Sequence, residues 1–154
     1  AQETVAPTPS PAAPSELFTW LDVFGDFQEL ITESTKRHND LTDTVRESDS
    51  GPESFLDEYR ELLNWYRGED GPYKFVLRGT FPRFREVRHI NDLISDYVER
   101  VLQQKLLYIE HLETPDNALA DSLFDQSREL RIRNNREWQD IEDAVSDVID
   151  EFSP

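Results

Sequence analysis

Three histidines, His38, His89 and His111, are the side chains best suited to metal, haem or acid–base chemistry in a 154-residue chain with no cysteine and no methionine. Lack of cysteine removes thiolate zinc sites, iron–sulfur clusters, thiol catalysis and disulfides together. Lack of methionine removes Met/His haem ligation. Glu86 and His89 have the Glu-x-x-His spacing that di-iron carboxylate bundles use to set carboxylate and imidazole on one helical face. Such a centre needs two motifs of this kind with carboxylates from the remaining helices, and this sequence has one. His38 and His89 would stand roughly 25 Å apart along a bundle at ~1.5 Å per residue, too far to share an ion. No Gly-rich phosphate loop, Gly-x-Ser-x-Gly, His-Glu-x-x-His or calcium loop is present. We therefore expect no catalytic residues, no cofactor and no metal, with one alternative. His38, His111 and Tyr108 would lie near one end of a bundle, where a metal, haem or small ligand could bind.

His38 also has a structural role to play. Leu17, Phe24, Ile31, His38 and Val45 recur every seven residues, with Trp20, Phe27, Ser34, Leu41 and Ser48 between them. This is a heptad seam, so Ser34 and His38 should form a polar core layer that fixes register. Bundle geometry sets Gln104 or Lys105 level with His38, together with Asp121 or Asp125. A histidine beside a carboxylate would titrate near neutral pH.

The elements that position these residues follow from periodicity and breakers. Residues 1–14 carry four of the nine prolines and no apolar period, which suits a disordered Pro/Ala-rich tether. Residues 15–154 should form an all-α, elongated, antiparallel up-down-up-down bundle of three long helices and one short. Helices are expected over 15–49, with Ser15 as N-cap, and over 53–67, 82–112 and 115–152. Gly25 interrupts the first, as a weak point or a place of close backbone approach. Between helices two and three, residues 68–81 hold three glycines and Pro72, so an irregular aromatic connection folding back over the core is expected.

The last two helices are joined by two or three residues and must be antiparallel neighbours. Apolar matching pairs Val87 with Ile141, Ile90 with Trp138, Ile94 with Asn134, Tyr97 with Leu130 and Tyr108 with Leu119. The same register sets Arg85 against Glu142, Asp92 against Arg136, Asp96 against Arg131 and Glu99 against Arg128. Most arginines would then be paired inside the hairpin, with Arg78 and Arg83 as exceptions.

Charge narrows the partners. Asp and Glu number 33 against 16 Lys and Arg, giving a formal net charge of −17, so neither nucleic acid nor an anionic membrane surface is an expected partner. No run is long and apolar enough for membrane insertion. The chain begins Ala1-Gln2-Glu3 without methionine, as a signal-peptide-cleaved product would, and an extracytoplasmic location, periplasmic or secreted, is expected. The leading functional expectation is a non-enzymatic protein-binding bundle, an accessory subunit docked on the outer face of a membrane or cell-envelope complex. Its expected contact surface is Trp65, Tyr66, Tyr73, Phe75, Arg78, Phe81 and Arg83, since aromatics and arginines dominate interface energies.

Overall fold

The structure is a computed structural model that describes residues 14–152. The tether expected over 1–14 lies, apart from Pro14, outside the described residues. Five α-helices follow in order: α1 (Pro14–Glu47), α2 (Leu56–Arg67), α3 (Pro72–Leu77), α4 (Arg88–Glu113) and α5 (Asn117–Phe152). There is no strand among the described residues. No helix among them is long and apolar enough to cross a membrane.

The chain runs up, down, up and down. Trp20 meets Asn91 near the start of α4, while His38, Thr42 and Val45 lie beside Gln104 and Tyr108, so α1 and α4 run the same way. Along α2, Tyr59 touches Tyr108 and Tyr66 reaches Val98; that helix is antiparallel to both. α5 returns along α4, and α1 packs within the same chain.

The α1 seam forms as its spacing requires. Leu17, Trp20, Phe24, Phe27, Ile31 and Ser34 are buried, and His38, Leu41 and Val45 are half-buried. Gly25 meets no neighbour: a Cβ there would have nothing within 4 Å. Ser15 sits inside the first turn of α1, where its carbonyl accepts the Thr19 hydroxyl at 3.0 Å.

Two apolar clusters divide the core. The larger joins α1 from Leu17 to Ile31, α4 from Ile90 to Val98 and α5 from Ile141 to Val148. The smaller joins Tyr59, Leu63 and Tyr66 of α2 to Leu102, Ile109 and Leu112 of α4. Each fully buried large apolar side chain contributes about 1.5–3 kcal/mol, so these clusters are the main source of stability.

The connection is more ordered than its glycines suggest. Gly71-Pro72 starts a helix, with proline at the position where a missing N–H costs nothing. Gly71 is required by close approach, since a Cβ there would overlap the carbonyl oxygens of Trp65 and Tyr66. The segment folds back over the bundle, as expected: Phe75 stacks on Phe27 at 6.0 Å and meets Phe81 at 5.8 Å.

Helix starts also differ from the sequence reading. The helix expected over 82–112 does not start at Pro82. Phe81 is buried against Trp20 and Phe27, which keeps the chain extended through Phe84, and a 3-10 turn at Arg85–Val87 precedes α4. The Asn91 amide ties this entry down by donating to the Pro82 carbonyl at 3.2 Å while its Oδ1 accepts from the Trp20 indole at 2.9 Å. At the hairpin, Asp116 caps α5 by accepting from the Leu119 amide at 2.9 Å, so the helix begins at Asn117, two residues after the expected start at 115.

Candidate functional site

Between the two apolar clusters lies a layer of buried polar groups: Ser34, Gln104, Lys105, Ser127 and Asn134. Its position follows from α1, whose seam turns from Ile31 to Ser34 and His38, and from α4, where Gln104 and Lys105 interrupt the apolar face. The Gln104 side-chain amide donates to the Ser127 hydroxyl at 3.1 Å, which donates back to the Gln104 carbonyl at 3.2 Å. At the hairpin end, His111 Nδ1 lies 2.6 Å from the Ala120 carbonyl.

These bonds correct the expected α4/α5 register. Matching of apolar positions would set Gln104 against Leu123 or Phe124 and His111 against Asp116 or Asn117; the observed partners lie about one helical turn further along α5. The Tyr97 ring meets Trp138, at 5.4 Å, instead of Leu130. An ion pair across this interface joins Arg100 to Glu137, which also takes Arg133. Asp96 is therefore not the partner of Arg131, nor Glu99 of Arg128.

The shift changes what surrounds His38. Gln104 and Lys105 lie beside it, as expected. From α5 it faces Ser127, Arg128 and Arg131, not Asp121 or Asp125. A cleft of about 240 Å³ opens here, walled by Tyr59, Tyr108, Phe124 and Val45. It shares His38, Thr42, Arg46, Gln104 and Arg131 with a wider groove of about 520 Å³ that reaches Lys105, Ser34 and Asn134. Among the described residues, neither is lined by an Asp or a Glu.

The electrostatics follow from that lining. Burial, then the charges of Lys105 and Arg131, lower the His38 pKa to about 4. His38 is thus neutral at physiological pH, contrary to a carboxylate-paired histidine titrating near 7. Burial alone lowers Lys105 to about 8. Its ammonium has no ion pair among the described residues and lies 5.4 Å from the centre of the Tyr66 ring. Tyr108 is raised, chiefly by burial, with Tyr59 and Glu53 adding to the shift.

The chain matches no protein-family model, no curated protein and no solved structure. Function must therefore be read from this geometry.

The residues expected to meet a partner are mostly spent on packing. Tyr66 and Phe81 are buried, with the Tyr66 hydroxyl on the Val98 carbonyl at 2.9 Å. Phe75 and Tyr73 pack on the core, and Tyr73 donates to Glu99 at 2.9 Å. Trp65 is half-buried beneath the Arg37 guanidinium, 4.3 Å from its ring centre. Arg78 is paired with Glu69, which Lys74 also reaches at 3.0 Å. Only Arg83 of the seven is exposed without an ion pair among the described residues. The aromatic connection closes this end of the core, with Phe75 of α3 on Phe27 and Phe81 on Phe27 and Trp20.

The alternative ligand trio is likewise divided. Tyr108 lines the cleft with His38. His111 is held outside it, between Tyr108 and Phe124 at ring distances of 5.7 and 5.3 Å. His89 is exposed. Among the described residues no group of three or more His, Asp or Glu side chains is placed to hold a metal ion. Sequence reasoning set Lys105 level with His38 only as part of a polar layer and missed Arg128 and Arg131 beside them. A lysine on an otherwise apolar helical face was the available signal.

Proposed function

We propose that the chain is a non-catalytic helical bundle that binds a small ligand in the cleft between α1, α2, α4 and α5. One observation carries this reading: Lys105, 8% exposed, faces the groove with no carboxylate partner among the described residues. A buried, unpaired charge costs several kcal/mol, and an accessible cavity beside it is where a ligand would offset that cost. Binding-site volumes of ~300–1,000 Å³ with a few convergent polar groups are usual. The test is an amide NMR titration of the full chain with a mixed set of small acids, amines and neutral aromatics. Shifts at Tyr59, Tyr108 and Ser127 are expected for at least one compound; none at millimolar concentration would sink the proposal.

A second reading, an extracytoplasmic accessory subunit docked on a membrane complex, rests on another surface. Arg83, Arg85 and Arg88 are exposed and, with one carboxylate, Asp92, line an open groove of about 710 Å³, a net cationic patch on a chain of net charge −17. It suits an acidic protein segment. Crosslinking to a membrane protein of the source organism that is lost in Arg83→Glu would support it, and crosslinking unchanged by that variant would remove this surface from consideration.

A further inference from the structure

We infer that the cleft takes a small aromatic carboxylate, with its charge held by Lys105 and Arg131 and its ring against Tyr108 and Phe124. This rests on the ligand-binding reading above and names the ligand class for the same site.

The first argument is a contrast of charge. Acidic residues outnumber basic ones 33 to 16 along the chain, yet the charged side chains lining the cleft and groove are cationic throughout. Arg46 is taken by Asp43 at 3.7 Å on the solvent side. Arg128 and Arg131, one turn apart on the same face of α5, have no ion pair among the described residues. Lys105 is one of three lysines in the chain and the one buried in the core. The acidic exterior would repel an anion at long range, but salt screens charges beyond about 10 Å at 0.1 M. Inside the groove the local cations dominate.

The second argument is that the polar floor is unsatisfied in two chemical senses. Lys105 offers N–H donors to an anion. Asn134, 5% exposed and one turn beyond Arg131, keeps its Oδ1 without a hydrogen-bond partner. Buried polar atoms are nearly always paired, so an orphan acceptor in the same groove as an ammonium without an ion pair points to a polar occupant, and the ammonium to one with an acidic end. Neutral His38 adds a ring N–H that can turn to a carboxylate.

The third argument is the wall. Tyr59 and Tyr108 meet edge to face at 4.9 Å, and Phe124 remains 41% exposed on the cleft rim. Aromatic walls at the neutral end and cations at the other fit an amphipathic anion. A mono- or dihydroxylated benzoate is of the size that about 240 Å³ of cleft and the adjoining groove accept. An inorganic anion would leave the aromatic end empty.

The test is calorimetric titration of the full chain in low-salt buffer with 4-hydroxybenzoate, benzoate, benzyl alcohol and inorganic phosphate, followed by NMR. The expected result is binding of both benzoates at least tenfold tighter than benzyl alcohol or phosphate. Lys105→Met should weaken benzoate binding at least tenfold while melting above the wild type without ligand, which shows the fold intact. Arg131→Gln should weaken it several-fold. Benzoate binding should also raise the His38 titration midpoint. Equal affinity for benzyl alcohol, or full affinity in Lys105→Met, overturns the carboxylate inference while leaving a ligand-binding cleft. Preference for phosphate overturns the aromatic part. No response at Tyr108 or Ser127 to any probe overturns both the inference and the reading beneath it.

Discussion

Gln104 and Ser127 exchange two hydrogen bonds across the α4/α5 interface, amide to hydroxyl at 3.1 Å and hydroxyl to carbonyl at 3.2 Å. Both residues are buried, so the pair acts as a register pin between the apolar clusters. A slip of one turn would leave two polar side chains without partners. Ser127→Ala is expected to lower unfolding free energy by about 1–3 kcal/mol, the usual cost of orphaning buried polar groups. Gln104→Leu combined with Ser127→Ala should recover part of that loss, measured by urea denaturation, because no polar group remains unpaired.

Acid should weaken the fold through His38. Its pKa is about 4 folded against 6.5 in the open chain, so between those values the unfolded state binds more protons. Stability is therefore present above pH 6.5 and is lost as pH falls toward 4, with a slope of up to ~1.4 kcal/mol per pH unit. The titratable and charged groups around His38 are Lys105 and Tyr108 from α4, Arg128 and Arg131 from α5, Tyr59 from α2 and Arg46 from its own helix; none is a carboxylate. Urea midpoints at pH 7 and pH 5 should diverge more for the wild type than for His38→Leu. Equal losses would show that His38 is not the sensor.

Two glycines should respond oppositely to alanine. Gly25 lies mid-helix with open space where a Cβ would go, so Gly25→Ala should stabilise by about 0.5–1 kcal/mol. Gly71→Ala would drive a Cβ into the Trp65 and Tyr66 carbonyls and should destabilise by at least about 2 kcal/mol. Thermal melts of both variants check the pair of signs.

Salt should stabilise the protein. Exposed ion pairs such as Arg60 with Glu113 at 2.8 Å are screened by water and contribute little, whereas a net charge of −17 repels itself throughout. Raising NaCl from about 0.1 to 1 M shortens the screening length from about 10 to 3 Å, and the melting temperature is expected to rise. A fall would mean that the surface pairs outweigh the net repulsion.

Much of the architecture was legible in the residues themselves. The seam from Leu17 to Ser34, the break between residues 49 and 53 and the short α4/α5 link are local patterns, and local periodicity determines which face of each helix is buried. The fold-back of residues 68–81 followed from its apolar content, although the helix begun by Gly71-Pro72 needed Phe27 and Phe81 as neighbours to form. Aromatic side chains taken as an outward surface, Tyr66 and Phe81 among them, carry the same pattern whether they face a partner or the core.

Register between α4 and α5 was what the sequence left degenerate. Apolar positions on a helix repeat every three to four residues, so sliding one helix by a turn matches almost as many apolar pairs as before. The Gln104–Ser127 bonds, together with the packing of Trp138 on Tyr97 and Phe27, lift that degeneracy in the folded chain. One turn decides whether His38 faces Asp121 and Asp125 or Ser127 and Arg131, and with it whether the polar layer is a histidine–carboxylate pair or a cationic cleft. The sequence determined that a polar layer interrupts the core at His38; tertiary packing decided the sign of its charge.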